Sequence, residues 1–533
     1  GLLLPPPKLN SVTLTNAVLP SAERDFDGLK FFISGRYMYY FNPATNTATE
    51  DKDFGAGKAA VCLEPFNNQL VVGMGESEKI YTRSIGVNTS GTANVAVTST
   101  NTTLADTRLA LTASAYIGAT VTCNGKTMVV TANTATEFTG ASWSGGGNPG
   151  NGNAWSVAGT WTQASNATYA IALGVVDNKL WRAETTNRLS NCVSSPLTLA
   201  NWLPTSPNQY YAGDSTYAIN SITDYGGIPY VGKGDGMYAP DPQGRFKNQA
   251  PQLRRAKHTD NTKGSFVAHA SLWVPTSSGL FQIKPGKSIK RGPETTFRPS
   301  FRFWVRGGVE FGDAIYMLCT DESAVSNTCI IKAVPDKANP GNYIYHELAQ
   351  LDGTTKGYVI GVTTAGTNPE LVVGYGNDIR YLKLGRGGGR DIDDANYDYG
   401  TAWSLETGRM LPGPDLGVVS QLVGVDVVLD HSRATESLTL SYAMDRIKDI
   451  DAYTGSLLDT QEGGGSAPIT TTTNYQKVTR YAPAGTKGQF LEIKFAGTLA
   501  ASAGLTRPTV VEAWAHGFVH PVSTDVVTVT LAA

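Results

Sequence analysis

The densest group of oxygen ligands in this 533-residue chain is Asp391, Asp393, Asp394 and Asp398, with Asn396 among them, in the glycine-flanked stretch GRGGGRDIDDANYDYG from Gly385 to Gly400. Carboxylate and amide oxygens crowded on one loop are what calcium requires, so the four aspartates are a candidate calcium site. Their spacing is not that of an EF-hand. Arg386 and Arg390 offer the competing outcome, a solvated loop in which guanidinium groups pair with the carboxylates. The six histidines (His258, His269, His346, His431, His516 and His520) are scattered. His516 and His520 stand on a strand-like segment, where that spacing sets them on one face about 13 Å apart, too far to share a metal. Five cysteines (Cys62, Cys123, Cys192, Cys319 and Cys329) are few and odd in number, without CxxC spacing for zinc. That usage fits synthesis in a reducing compartment. Cys319 and Cys329 flank nine residues of an expected hairpin; they read as reduced core thiols, with a disulfide across the hairpin as the alternative.

Catalytic signatures are missing. There is no GxSxG elbow, HExxH helix, Walker loop or GxGxxG followed by a helix. Arg254, Arg255, Arg291, Arg298, Arg302 and Arg306 cluster in one region. Several arginines gather at the ring centre in sialidases, but the repeated Ser-x-Asp-x-Gly-x-Thr-Trp box of that family is not present, and no carboxylate pair for glycoside hydrolysis can be picked without geometry. Blade edges or a subunit interface, where arginine is enriched, are the simpler places for them. With 43 basic and 45 acidic residues, the net charge of -2 supplies no field for holding a nucleic acid backbone. No run approaches the roughly 20 apolar residues that cross a bilayer, and GLLLPPP at the start lacks a signal-peptide pattern, so the chain is expected to be soluble. Asn88, Asn101 and Asn166 precede Ser or Thr by two residues, which matters only in a secreted eukaryotic setting.

The elements that would position these residues are short. Runs of four to seven Val, Ile, Leu, Tyr and Phe alternate with Gly, Asn, Asp, Ser and Pro, the pattern of strands and turns. Helical periodicity is nearly absent; AMDRIKDIDA from Ala443 fits one helical turn or a strand end. A unit of strand, tight turn and aromatic-bearing strand recurs in LKFFISGRYMYYFNP from Leu29, NNQLVVGMGESEKIYTR from Asn67, ALGVVDNKLWRAE from Ala172, YGGIPYVGKGDGMYAPD from Tyr225, HASLWVPTSSGLFQI from His269, GVEFGDAIYMLCTDESAVSNTCIIKA from Gly308 and NPELVVGYGNDIRYLKL from Asn368. Markers Tyr39, Val72, Trp181, Val231, Trp273, Tyr316 and Val373 are 33, 109, 50, 42, 43 and 57 residues apart. Propeller blades take about 40 to 50 residues. The chain is therefore expected to be all-β, a β-propeller of about seven blades, with Tyr40, Tyr81, Trp181, Tyr238, Phe281, Tyr316 and Tyr381 filling the space between blades. An irregular stack of sheets is the alternative.

The interval of 109 residues implies one interrupted blade. A Thr-, Ala-, Ser-, Asn- and Gly-rich stretch from 86 to 164 carries alternating segments (ANVAVTST, RLALTAS, ATVTCNG, KTMVVTA, AWSVAGTW) that suit a small β-domain with one wet face. SGGGNPGNGN from Ser144 suits a hairpin tip. Residues 1–85 are expected to form an N-terminal arm and the first blades, and 165–410 the remaining blades. Residues 411–533 alternate strictly over six segments, as a β-sandwich does, with QEGGGSAPITTTTN from Gln461 as a loop.

Ring, insert DTRLALTASAYIGATVTCNGKTMVVTANTATEF (Asp106 to Phe138) and closing segment PTVVEAWAHGFVHP (Pro508 to Pro521) together resemble the tail-associated structural proteins of tailed-bacteriophage virions. The resemblance implies a non-enzymatic virion component, assembled in the host cytoplasm, working in assembly or host-surface adhesion. Its partners would be other virion proteins, copies of itself and host surface glycans, with no cofactor beyond the calcium candidate. A carbohydrate-active propeller enzyme (glycosidase or depolymerase) and a lectin-like surface-binding module are the alternatives. Two carboxylates about 5 to 10 Å apart on the ring axis would mark the enzyme.

Overall fold

The computed structural model describes residues 9–384 and 402–530, apart from 17, 85–88, 110, 112, 114–115, 206–208, 251–256, 285–286, 294–302, 322–327, 352–355, 367, 401, 407–419, 431–436, 446–452, 454, 459–467, 470–475, 489, 499–508 and 520–525. The chain divides into two compact units, Asn10–Tyr381 and a second made of Leu382–Ala533 with Gly1–Leu9. Among the described residues both are all-β; the one helical element is a 3₁₀ turn at Leu199–Asn201.

The larger unit is a seven-bladed β-propeller. Its blades are four-stranded antiparallel sheets whose inner strands are Ala22–Phe26, Cys62–Phe66, Ala172–Val176, Ile219–Tyr225, Phe266–Ala268, Phe303–Phe311 and Gly357–Thr363. Each inner strand touches the next, and the seventh touches the first, so the ring is closed. All seven recurring segments fall in separate blades. Two-residue turns join inner to second strands, with positive φ at both positions in Asp27-Gly28, Asn67-Asn68, Asp177-Asn178, Gly226-Gly227 and His269-Ala270. That geometry matches the right-handed strand twist and favours Asn, Asp and Gly; His269-Ala270 departs from the preference. Its strain is opposed by the His269 N–H donating to Glu310 Oε2 (2.8 Å) and the Tyr225 hydroxyl donating to the Ala270 carbonyl (3.1 Å).

Closure depends on a strand far away in sequence. Asn10–Thr13 is the outermost strand of the seventh blade, paired antiparallel with Asp378–Lys383 so that Asn10 faces Tyr381 and Thr13 faces Asp378. Val12 and Leu14 then join Phe32, Tyr39, Phe41, Val359, Val372 and Ile379 in one core between the seventh and first blades. The sequence reading placed these residues in an N-terminal arm; the sheet register puts them in the ring. The seven aromatics also differ from expectation. Trp181 and Tyr316 lie on second strands, whereas Tyr40, Tyr81, Tyr238, Phe281 and Tyr381 lie on third strands. Inter-blade space is filled instead by mixed sets such as Phe266, Trp273, Leu280, Val305, Ile315, Met317 and Ile331.

The second blade is interrupted between its third strand, Tyr81–Ser84, and its fourth, Trp161–Gln163, which pair with each other. Trp161 had been counted with the insert, but it packs edge-on against Phe54 (5.4 Å) and donates to Asp51 Oδ2 (2.8 Å), tying it to the first blade. Between them, strands of Thr89–Ala158 form a seven-stranded antiparallel sheet burying Val97, Leu104, Val121, Met128, Val130, Phe138, Trp155 and Val157 on one face. The expected strand RLALTAS is not formed. Asp106 caps a turn there, accepting from the Arg108 N–H (3.1 Å) at Oδ1 and from the Leu109 N–H (3.0 Å) at its carbonyl, so strand Thr103–Asp106 ends early.

The second unit is a β-sandwich. Ala402–Glu406, Leu491–Thr498, Ser437–Met444 and Gly455–Ser456 form one sheet, and Gln476–Tyr481, Ser420–Asp430, Thr509–Val519 and Val526–Thr530 the other. Leu422, Val425 and Val427 meet Leu438, Leu440, Tyr442, Ile493 and Phe495 between them. Ala402–Glu406 fell in the propeller range of the sequence reading; its pairing with Leu491–Thr498 assigns it here.

Two expectations follow from this architecture. Deleting Asn10–Thr13 exposes the Phe32, Phe41 and Val372 core, so calorimetry is expected to lose the propeller's cooperative transition; replacing 86–159 by a short turn joins two strands that are already paired, and the transition is expected to survive. The Asp106 carboxyl is held down to about 2, first by hydrogen bonds from Arg108 against its own desolvation and with help from Trp155 Nε1. Its contribution is fully present above the unfolded value near 3.9 and is lost as pH falls through the folded value. Tryptophan fluorescence of the insert is expected to change between about pH 4 and 2, and Asp106→Asn to flatten that change.

Candidate functional site

An innermost propeller strand has blades on both sides, so a side chain that stays exposed on it faces the axial opening or its rim. Two groups of polar side chains meet that condition. The first lies on the first two blades. In strand AERDF, Glu23, Arg24 and Asp25 are charged where the other inner strands are mostly apolar or small. Lys30, on the adjoining second strand and only 2% exposed, donates to both Glu23 Oε2 (2.7 Å) and Asp25 Oδ2 (2.9 Å). Arg24, 44% exposed, reaches across the blade boundary to Glu64 Oε2 (2.7 Å). On the other side Glu23 lies against the seventh blade, where a Cβ on Gly361 would stand 2.7 Å from its carboxylate oxygens. Glycine at 361 is thus what lets the acid approach that strand.

Burial works on the charges unequally. Desolvation pushes Lys30 down, but the joint pull of Glu23 and Asp25 outweighs it and the ammonium stands above the ordinary lysine value. Desolvation pushes Glu64 up, opposed by Arg24. Beside them the Cys62 thiol is pushed up to about 12 by burial and donates to the Ala170 carbonyl (4.0 Å), so it is no nucleophile.

The second group gathers where the fourth to seventh blades meet the rim. Arg306 is buried with its guanidinium near two rings, 4.7 Å from Trp304 and 4.9 Å from Tyr358, and donates to Thr320 Oγ1 (2.9 Å). His258 is exposed and lies edge-on to Trp304 (4.8 Å). Asp260 pairs with Lys263 (2.6 Å); these contacts, with His258 and Arg306, hold its carboxyl below the ordinary range although desolvation, the largest single effect, pushes it up. Asn261 binds the loop to two blades, donating to Gly234 O (2.9 Å) and accepting from Ser277 N (2.8 Å). Aromatic rings, cations and a carboxylate around one rim are chemistry for holding a polar ligand.

Of the residues singled out in sequence, Arg306 and His258 come together here. Arg291 instead spans the fifth and sixth blades, its guanidinium on Asn342 and its carbonyl accepting from the Tyr345 hydroxyl (3.4 Å). His269 stacks on Tyr343 (5.7 Å) away from both groups. Asp391, Asp393, Asp394, Asp398, Asn396, Arg386, Arg390, Arg254, Arg255, Arg298, Arg302, His431 and His520 lie outside the described residues. Among the described residues no three His, Cys, Asp or Glu side chains are grouped to hold a metal ion. Glu23, Lys30 and Glu64 escaped sequence reading because no motif marks them; the one signal was three adjacent charges in a short strand.

No family model and no curated protein matches the sequence. Solved structures are similar at low identity. The extracellular domain of a putative hybrid two-component system from B. thetaiotaomicron is 12% identical with a TM-score of 0.40, over 78% of this chain and 42% of that one. YCF48 from Cyanidioschyzon merolae is 10% identical with a TM-score of 0.39, over 70% of this chain and 98% of that one. An ancestral GH74 enzyme is 7% identical with a TM-score of 0.41, over 72% of this chain and 51% of that one. Likeness at this level is one of architecture and assigns no activity.

Lys30→Met leaves Glu23 without its cation, and denaturant melts are expected to show a loss on the order of 3 kcal/mol. Arg24→Ala at the exposed pair is expected to cost under about 1 kcal/mol. Because the folded Lys30 value is raised, its contribution holds below the unfolded lysine value near 10.4 and is lost as pH rises through the folded value.

Proposed function

We propose that the chain is a non-enzymatic structural component of a tailed-phage virion, in the tail region, working in assembly and host-surface adhesion. The observation that carries this reading is where the additions to the ring depart. In an antiparallel blade, the end of the third strand and the start of the fourth lie on the same face as the turn between the first two strands. The insert leaves and returns through Tyr81–Ser84 and Trp161–Gln163, and the chain enters and leaves the ring through Asn10–Thr13 and Asp378–Lys383. Each addition is thus carried on two adjacent, paired strands at one face of a rigid ring, which suits a scaffold that presents modules to neighbouring proteins and to host glycans.

The carboxylates near the axis support binding over hydrolysis. Glu23 and Asp25 share one lysine ammonium, and Glu64 is paired with Arg24. Glycoside hydrolysis needs one acid free to donate a proton and a second free to attack or activate water. Neither role is open to a carboxylate held by a permanent cation. Labelled antibody against the chain is expected to decorate particle tails in electron micrographs, and glycan arrays or host-cell binding to register the protein where hydrolysis assays do not. Release of reducing sugar by the purified chain would overturn the reading.

A further inference from the structure

We infer that Cys319 and Cys329 are a latent disulfide, free thiols that a small oxidant converts to a cross-strand bond within the folded sixth blade. The two residues are direct partners in the antiparallel pair of Ala314–Asp321 with Thr328–Pro335, one rung inside the terminal pair of Thr320 and Thr328. Partners in such a pair point to the same face, and both cysteines belong to one core cluster with Phe266, Trp273, Val305 and Ile331. Cα atoms of direct antiparallel partners stand about 4.5 to 5.5 Å apart, inside the span a disulfide bridges. Both are present as thiols. No other cysteines are registered in this way: Cys123 belongs to the insert, and Cys62 and Cys192 bond separately to the carbonyls of Ala170 and Ser194. Burial also pushes the Cys62 and Cys192 thiols up to about 12, which keeps them out of exchange.

The chemistry balances with a low-molecular-weight disulfide such as oxidised glutathione. Cys329, at 6% exposure against 0% for Cys319, is the sulfur an oxidant meets first. Its thiolate attacks one glutathione sulfur, breaking that S–S bond, forming the mixed disulfide and expelling glutathione thiolate. The Cys319 thiolate then attacks the Cys329 sulfur and expels the second glutathione. The protons of the two cysteines pass to the two glutathiones, and the protein loses two electrons to the oxidant. The product closes the hairpin of one blade covalently, whatever role the ring serves.

The test uses the full chain, purified reduced and exposed to oxidised glutathione in native buffer, then unfolded, alkylated and mapped by mass spectrometry. Alkylatable thiols are expected to fall from the five present to three, with one linked peptide joining Cys319 to Cys329, a higher melting temperature, and reversal by dithiothreitol. Cys329→Ser is expected to melt as the reduced parent does and to show no gain on oxidation. Five alkylatable thiols, a glutathione adduct that stays on Cys329, a bridge to any other cysteine, or a bond that forms only in urea would each overturn the inference.

Discussion

A ring of sheets holds together only if its last member meets its first, and in this protein that meeting rests on four residues. Asn10–Thr13 completes a sheet whose other three strands come from the far end of the propeller sequence. No blade can bury both faces alone, so the cost of each exposed face is avoided only when every neighbour is in place. Loss of the closing strand therefore acts on the whole ring, through Val12 and Leu14 and the aromatic core beneath them. The charges near the axis occupy the same region: Glu23 lies against the seventh blade and Arg24 reaches the second. Polar pairing and apolar packing thus converge where the first blade meets its neighbours.

What could be read from sequence was local. Asp27-Gly28, Asn67-Asn68, Asp177-Asn178 and Gly226-Gly227 announce tight hairpins because few other residues tolerate two successive left-handed conformations. Flanked by apolar runs, they mark the blades one by one. Asn10–Thr13 carried no such sign. Its sequence, NSVT, is short and without aromatics, and its partner lies hundreds of residues away, so only the register reveals it. The same limit explains the aromatics: their spacing in sequence resembled one repeated position, but second and third strands both carry them.

Charged residues were the hardest to place. Glu23, Lys30 and Glu64 look like ordinary solvated residues in a strand, and what gives them meaning is that they come from neighbouring strands around an opening. RLALTAS shows the reverse error. Its alternation suits a strand, yet an aspartate just upstream satisfies the backbone locally and turns the chain.

The facing of Asn10 and Tyr381 also decides how the ring responds to mechanical load. Both chain crossings sit side by side at the same end of one antiparallel pair, and both segments beyond them belong to the second unit. Tension arriving through that unit pulls the two strands in parallel, so the rungs between them are not peeled apart. Tugging the two segments in opposite directions would unzip the pair one rung at a time, at low force. The arrangement makes the propeller strong to a pull on the unit as a whole and weak to cutting either crossing.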